Sequence, residues 1–388
     1  MSTDAGREDR VLDRIEAFRR RRPRLLDTVV TLSHGAGGKA SAALVDAVFV
    51  DAFRNPELEQ LGDAAVGVLD AGAAGGAVGA GAAGGAVGVG AAGGAVGVGE
   101  RLAFSTDSYV VKPLQFPGGS IGHLAVHGTV NDLAVSGARP RWLSAAFVIE
   151  EGFEIARLRE IVADMATAAS GAGVAIVTGD TKVVGKGSAD GLYISTAGVG
   201  VVPAGRRLGA DLVRPGDRVV VSGPLGDHGM AVLLARGELA LEADIASDTA
   251  PVHRMVEALL AAAPATRWMR DATRGGVGTV CNELAQATGF AVVLDEAALP
   301  IRPAVLGACD LLGIDPLYVA NEGKFVAVVA ADETDAALAA LRGQAGGEAA
   351  AVVGEILAEP EGIVALRTAF GGTRIVDMLV GDPLPRIC

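Results

Sequence analysis

Five aspartates lie at predicted strand ends, beside glycine- or threonine-containing segments, or on a predicted helix. They are Asp63, Asp107, Asp132, Asp180 and Asp271. Carboxylates in such places suit Mg²⁺, which prefers oxygen ligands and shares them with substrate phosphates. A single loop aspartate is usually a turn former or a helix cap. Five in comparable positions shift the balance toward a metal–nucleotide site.

Two glycine-rich segments are typical of anion binding. Gly37, Gly38 and Lys39 in "SHGAGGKA" resemble a phosphate cradle, although the segment lacks the first glycine and the final Ser/Thr of a Walker A loop. The segment "DATRGGVGTVCNELAQ" places Gly275 and Gly276 at the start of a predicted helix. The free amides of a helix N-terminus attract anions.

Three more residues are candidates for chemistry. Glu283 lies on the helix after Gly276 and is a general base if it faces the site, or otherwise a solvated helix-face carboxylate. Lys182 follows Asp180 by two residues and can hold a phosphate or a carbonyl, although an exposed lysine is the default. Cys388 ends the chain after Pro-Arg-Ile, and an exposed thiol is a liability unless it is used. The tail from residue 376 can span roughly 40 Å when extended.

These residues need a scaffold, and the sequence alternates between strand-like and helix-like segments. "RLAFSTDSYVV", "RWLSAAFVIE", "GVAIVTGDTKVV" and "LYISTAGVGVV" predict strands, whereas "IGHLAVHGTVNDLAVSGA" and "FEIARLREIVADMATAASGAG" have helical spacing. A second series begins near "RPGDRVVVSGPLG". We predict an α+β protein with four parts: an Arg-rich extension (1–30), two domains (31–205 and 206–375) and a mobile tail (376–388).

Residues 71–99 contain only Gly, Ala and Val, in three near-identical nonapeptides. Because 13 of these 29 residues are glycine, the segment is a poor membrane helix. It also buries too little apolar surface to offset the entropy of ordering its backbone. We predict a flexible insertion that expands a hairpin loop of the first domain.

The bulk composition excludes several classes of protein. A net charge of −13 argues against broad contact with nucleic acid or an anionic membrane. Three cysteines without CxxC spacing indicate neither a disulfide framework nor a zinc site, and we expect Cys281 and Cys309 to be core thiols. The basic cluster at residues 19–24 is not followed by an apolar export segment, so we predict a cytoplasmic protein.

Several strings together resemble one family. "FSTDSYVVKPLQFPGGSIGHLAVHGTVNDLAVSGARPRWLS", "VTGDTKVV", "LGDHG", "DATRGGV", "ANEGK" and the terminal "PRIC" are similar to the HypE family of hydrogenase maturation factors, the carbamoyl dehydratases. This family belongs to the superfamily of aminoimidazole ribonucleotide synthetase and selenophosphate synthetase. The resemblance runs from about residue 32 to the C-terminus. The repeat insertion and the Arg-rich extension depart from it.

The resemblance implies a two-domain α+β fold, a homodimer, and ATP bound between the domains. It implies that Cys388 receives a carbamoyl group from a HypF-type carbamoyltransferase. ATP then drives loss of water to a thiocyanate, whose cyanide passes to iron on a HypC–HypD scaffold. Glu283 would be the base and Lys182 the cation, with Mg²⁺ on the five aspartates. Nucleotide-binding residues would be Asp107, Asn131, Asp132, Thr178, Gly179, Asp180, Gly37, Gly38 and Lys39.

Two kinds of alternative stay open at this point: another ATP-using enzyme of the same superfamily, or a non-catalytic thiol carrier. A selenophosphate synthetase-like enzyme would need a reactive Cys near the N-terminal glycine loop, and none precedes Cys281. A non-catalytic thiol carrier would need the terminal Cys without the aspartates and Glu283. An aminoimidazole ribonucleotide synthetase would not need a terminal Cys.

Overall fold

The computed structural model describes residues 27, 38–50, 64–67, 100–237, 243–379 and 387–388. The repeat insertion, Gly37, Asp63, most of the Arg-rich extension and most of the tail lie outside the described residues. The roles predicted for them stay predictions. None of the described helices is long and apolar enough to cross a membrane.

Strands and helices alternate through both halves of the described chain. The strands are β1 (Ala65–Gly67), β2 (Arg101–Tyr109), β3 (Gln115–Phe116), β4 (Gly119–Ser120), β5 (Arg139–Glu150), β6 (Ala175–Val184), β7 (Leu192–Val202), β8 (Arg218–Val221), β9 (Trp268–Asp271), β10 (Ala291–Asp295), β11 (Phe325–Val329), β12 (Ala351–Leu357), β13 (Val364–Arg367) and β14 (Thr373–Ile375). The α-helices are α1 (Lys39–Leu44), α2 (Ile121–Val135), α3 (Ile155–Ala172), α4 (Asp227–Ala235), α5 (His253–Ala262), α6 (Gly276–Thr288), α7 (Pro303–Leu312) and α8 (Thr334–Arg342).

The first half contains a five-stranded sheet in the order β1-β2-β7-β5-β6. Its neighbouring strands are antiparallel except for the parallel pair β5 and β6. Strand β7 alternates between buried and half-buried residues along its whole length. This alternation of period two shows that one face of the sheet, here called the inner face, packs on the core. The opposite, outer face is more exposed.

Helix α2 covers the inner face and lies between the two halves. Thirteen of its 15 residues are buried, which a helix packed on only one side would not achieve. Its C-terminal residues Ala134 and Val135 share a hydrophobic cluster with Phe325 and Val256 of the second half. The two halves therefore share a hydrophobic core across α2.

The second half contains a seven-stranded sheet in the order β14-β13-β10-β12-β8-β11-β9. All five residues of β11 are buried, as expected for a strand covered on both faces. Cys281 on α6 and Cys309 on α7 are buried, which confirms them as core thiols. Burial raises the pKa of the Cys281 thiol to about 12 and that of Cys309 to about 11.

The α+β class and the predicted strands and helices quoted above are confirmed. The positions of Asp107 and Asp180 within their strands differ from the prediction that both lie at strand ends. Strand β2 continues past Asp107 to Tyr109, and β6 continues past Asp180 to Val184. The reason is pairing, because residues 180–184 of β6 lie opposite residues 146–150 of β5. Both aspartates therefore lie within strands and not at their ends.

Candidate active site

The carboxylate of Asp107 lies on the inner face of the first sheet, against α2. Its Oδ2 atom accepts hydrogen bonds from the Tyr109 hydroxyl at 3.0 Å and from the Thr129 hydroxyl at 3.4 Å. Asp107 and Tyr109 are two residues apart on β2, so both side chains point to the same face. The Thr129 hydroxyl lies 2.6 Å from that of Thr196 on β7. One helix and two strands thus fix this carboxylate.

Two further candidates, Asn131 and Asp132, lie on α2. Ser105 on β2 donates to Asp132 Oδ2 at 2.6 Å, which keeps this carboxylate close to the same strand. The Asn131 amide donates to the carbonyls of Ala250 and Glu322, and its oxygen accepts from a backbone amide of the second half. Asn131 therefore joins the two halves, and its role in nucleotide binding stays a prediction.

The second half contributes a buried carboxyl group, Glu322, in the loop before β11. Only 3% of this residue is exposed. Burial raises the pKa of Glu322 well above its usual range, because the charged form loses its water. The carboxylates of Asp271, Asp248 and Asp107 raise the pKa of Glu322 further. The cation of Arg274 lowers it. The Glu322 carboxyl is therefore poised to carry a proton.

The last two residues of the chain dock between the halves. The Ile387 carbonyl accepts a hydrogen bond from His228 Nε2 at 2.6 Å. The Cys388 main-chain oxygen accepts one from the Val110 amide of the first half at 3.1 Å. Burial raises the pKa of the Cys388 thiol to about 12, Arg274 opposes this shift, and nearby carboxylates increase it. The terminal thiol is protonated in this position.

Arg274 is a cation among these groups. Its pKa is raised, first by the electrostatic interaction with Cys388, while burial acts in the opposite direction. It precedes α6, which begins at Gly276 as predicted, with Gly275 at φ +80° as its N-cap. The Thr279 hydroxyl on the first turn is buried and lacks a hydrogen-bond partner within the described chain. A guanidinium, the positive end of a helix dipole and this hydroxyl together suit an anion such as a phosphate.

Three other predicted residues, Thr178, Gly179 and Asp180, lie on β6 at the edge of the sheet. Counting across the sheet, Asp107 pairs with a residue of β7, that residue pairs with one of β5, and the residue of β5 pairs with Gly179. That separation is three strand spacings, roughly 14 Å. Asp180 is one residue further on, so it points to the outer face. There it pairs with Lys182 at 2.8 Å, with both side chains mostly exposed.

The predicted base Glu283 lies on α6 and forms an ion pair with Arg270. Its side chain is 39% exposed, in contrast to the buried Glu322. Gly38 and Lys39 contact the start of the tail. The Lys39 amide donates to the Leu379 carbonyl at 3.1 Å, and its ammonium pairs with Asp377 at 3.0 Å. These contacts are with protein groups, and the predicted phosphate cradle stays a prediction.

The described aspartates do not form a preassembled metal cage. No group of three or more His, Cys, Asp or Glu side chains in the described ranges is arranged to hold a metal ion. Asp107 and Asp271 nevertheless both act on Glu322 and Cys388. A buried excess of negative charge fits Mg²⁺, which commonly uses one or two carboxylates and takes its other ligands from phosphates and water.

Two family models match the chain. AIR synthase related protein, N-terminal domain, matches residues 89–202, and AIR synthase related protein, C-terminal domain, matches residues 214–367. The fold and the site between its halves therefore define a two-domain protein of the AIR synthase-related class.

Individual relatives are more specific. A carbamoyl dehydratase HypE of Rhodobacter capsulatus is 53% identical over 94% of this chain and 99% of its own length. A HypE–HypF complex has a TM-score of 0.76 and 42% identity, covering 87% of this chain and 100% of that one. HypE in complex with ATP has a TM-score of 0.72 and 42% identity, covering 93% and 100%. The chain belongs to the HypE family of carbamoyl dehydratases, which confirms the resemblance and favours an enzyme over a thiol carrier.

Three residues near Cys388 were not predicted as site residues: Glu322, Arg274 and His228. Each lies in a string that carried the family resemblance, "ANEGK", "DATRGGV" and "LGDHG". These strings were the signal in the sequence that could have indicated the three residues. Nothing local in them indicates that they meet the C-terminus, because the contact depends on the packing of separate elements.

Proposed function

We propose that this protein removes water from a carbamoyl group carried by Cys388, with ATP as the phosphate donor, to leave a thiocyanate. The observation that carries the proposal is the docking of Cys388 between the halves, beside Arg274, Glu322 and Asp107. This arrangement places a thiol that can be modified beside a cation that can bind an anion and an acid that can carry a proton.

The chemistry needs one phosphate transfer and two proton removals. The oxygen of the S-carbamoyl group bonds to the γ-phosphorus of ATP, ADP leaves, and one N–H proton is lost. The C–O bond then breaks with loss of the second N–H proton, which gives a C≡N triple bond and inorganic phosphate. The carbamoyl oxygen leaves on the phosphate. Phosphorylation is required because an amide oxygen is otherwise a poor leaving group.

The described side chains support these roles. Glu322, whose pKa is raised by burial, would accept the N–H protons when it is ionised. Arg274 and the N-terminus of α6 would stabilise the phosphate that forms. Mg²⁺ would neutralise charge on the ATP phosphates, held by Asp107, Asp271 or Asp132. The participation of Asp63, Asp180, Lys182 and Glu283 stays a prediction from the sequence.

The proposed partners are those that the carbamoyl group on Cys388 and the resulting cyanide require. A HypF-type carbamoyltransferase would supply the carbamoyl group, in keeping with the solved HypE–HypF complex of a relative. A HypC–HypD scaffold would receive the cyanide for the iron of a nickel–iron hydrogenase. These encounters take place in the cytoplasm in our proposal.

A homodimer is supported by the outer face of the first sheet. Phe104, Val199 and Trp142 are in register across β2, β7 and β5, so their side chains form one row on this face. Phe104 is 52% exposed and Trp142 is 48% exposed. An apolar sheet face that no described helix of the same chain covers suits a second copy of the sheet. Asp180 and Lys182, on the same face, would then lie at the interface.

Mass spectrometry of the C-terminal peptide tests the proposed function. The protein is first carbamoylated with the carbamoyltransferase and carbamoyl phosphate, then separated from that enzyme and given ATP and Mg²⁺. We expect the adduct on Cys388 to lose one water only when ATP is present. Peptides with Cys281 and Cys309 serve as internal controls and should stay unmodified. An adduct that persists with ATP would exclude the dehydratase reaction.

A further inference from the structure

We infer that His228 is a positioning residue that docks the C-terminal tail through the Ile387 carbonyl and thereby aims the group on Cys388 at the site. This inference rests on the proposed function for its consequence in catalysis. The docking contact itself is independent of it.

The hydrogen-bond pattern assigns the proton of the imidazole ring. A carbonyl oxygen only accepts, so the 2.6 Å contact with Ile387 requires a proton on Nε2. Nδ1 lies 2.8 Å from the Ser247 hydroxyl, and that hydroxyl oxygen also accepts from the Thr249 amide. In a neutral ring with its proton on Nε2, Nδ1 can only accept, so Ser247 donates its own proton to Nδ1. The neutral Nε2–H tautomer satisfies every one of these contacts.

The surroundings of the ring keep it neutral and fixed. His228 is fully buried, and burial lowers its pKa, although the charge of Asp248 and the bond to Ile387 act in the opposite direction. The edge of the ring packs against Phe116, with centroids 5.5 Å apart. A neutral imidazole has a single N–H, and here it points at the tail.

Three contacts hold the end of the chain. The Ile387 carbonyl binds His228, the Ile387 side chain is 4% exposed within the core, and the Cys388 oxygen binds the Val110 amide. The Cys388 side chain lies between the two backbone anchors and near Arg274. The same imidazole Nε2 lies 4.0 Å from Glu322 Oε1. His228 thus sets the distance between the tail and the proposed base.

The start of the tail is held separately. Tyr318 donates to the Asp377 carbonyl, and the Lys39 amide donates to the Leu379 carbonyl. Changing His228 should therefore release only the end of the tail. Carbamoylation should continue in such a variant, because the transferase acts on the thiol while dehydration needs the thiol in its docked position.

Two variants separate tail docking from a role in packing. His228→Gln places an amide N–H near the position of Nε2 and can still bind Ile387. His228→Asn is one methylene shorter, so its amide lies near the position of Nδ1 and can reach Ser247 but not the tail. His253→Gln, on α5, is the control for replacing a partly buried histidine elsewhere.

The first measurement is the rate at which iodoacetamide alkylates Cys388 in the full chain, which does not depend on catalysis. We expect His228→Asn to react roughly 5- to 10-fold faster than the parent, since it loses one hydrogen bond. His228→Gln and His253→Gln should stay within about threefold of the parent. Equal rates for the Asn and Gln variants, or a parental rate for Asn, would overturn the inference.

The second measurement is a single-turnover dehydration after carbamoylation. We expect His228→Asn to be on the order of 100-fold slower in dehydration, because a displaced reacting group loses its alignment, while carbamoylation of the released thiol is not slowed. His228→Gln should recover most of the rate. A parent that loses no water at all would reject the proposed function, and the alkylation rates would still decide whether His228 docks the tail.

Discussion

Two glutamates of the second half differ in what surrounds them. Glu322 is buried among other carboxylates, so its pKa is raised well above its usual range. Glu283 is partly exposed and paired with Arg270. Because a base must be able to exchange protons beside its substrate, these surroundings favour Glu322 over the residue that the sequence indicated.

We expect Glu322→Gln to slow the single-turnover dehydration by about 10²- to 10⁴-fold, the usual effect of removing a general base. Glu283→Gln is the matched control on α6. It should change the rate by less than about tenfold, because it removes only a partly exposed ion pair at a distance from the proposed base, and ion pairs near the surface contribute about 0–1 kcal/mol. The opposite ranking of the two variants would assign the base to Glu283 as first predicted.

His127, which lies on α2, makes the free energy of unfolding depend on pH. Burial lowers its pKa to about 3, and the charges of His123 and His253 add to the shift. The unfolded chain binds a proton at this residue below about pH 6.5, whereas the folded chain does not until about pH 3. Stability is therefore lost as the pH falls through this range. The loss is about 1.4 kcal/mol per pH unit.

Urea unfolding at pH 7.5 and pH 5.5 tests this linkage with His127→Gln. We expect the free energy of unfolding to fall by about 1 kcal/mol less in the variant than in the parent over this interval. His228 and His253, whose pKa values are also lowered by burial, contribute equally to both proteins. Identical pH dependence in the two proteins would show that His127 is protonated in the folded state.

At the scale of elements, the packing of α2 on β2 positions Asp107. Gly128 faces Tyr109, and a Cβ added there would lie 2.2 Å from the Tyr109 hydroxyl oxygen. That hydroxyl donates to Asp107. The absence of a side chain at Gly128 therefore allows helix and strand to approach closely enough for this hydrogen bond.

We expect Gly128→Ala to lower the free energy of unfolding by about 1–3 kcal/mol, the usual cost of overpacking a core. Gly171→Ala is the control, because this exposed helical glycine has open space around its Cβ position. It should be neutral or stabilising by up to about 1 kcal/mol, since alanine favours the helix. Denaturant midpoints measure both. Equal stability of Gly128→Ala and the parent would contradict the packing described here.

For the whole molecule, the outer face of the first sheet decides assembly in our proposal. Trp142→Asp should convert the dimer to a monomer, because it places a charge at one end of the apolar row, within the proposed interface. Phe370→Asp is the control, at a fully exposed residue between β13 and β14. Sedimentation equilibrium measures both masses. A Trp142→Asp protein that remains dimeric would place the interface on another surface.

The sequence alone predicted much at the scale of elements. Hydrophobic periodicity predicted α2 and α3, because apolar residues that recur with a period of about 3.6 residues indicate a helix. The paired glycines marked the start of α6, because Gly275 takes a positive φ that other residues rarely adopt. The terminal position of Cys388 and the family strings were likewise visible in the chain, since they are local features.

The face that Asp180 presents was decided only by the tertiary structure. The register between β5 and β6 shifts after Leu143, where an extra residue, Val177, enters β6. Without this bulge Asp180 would pair with Phe147 and point to the inner face, as Asp107 does. The bulge moves it to the outer face, because one added residue reverses the alternation of a strand. Strand register and the meeting of Glu322 with Cys388 depend on long-range packing, so no local pattern in the sequence records them.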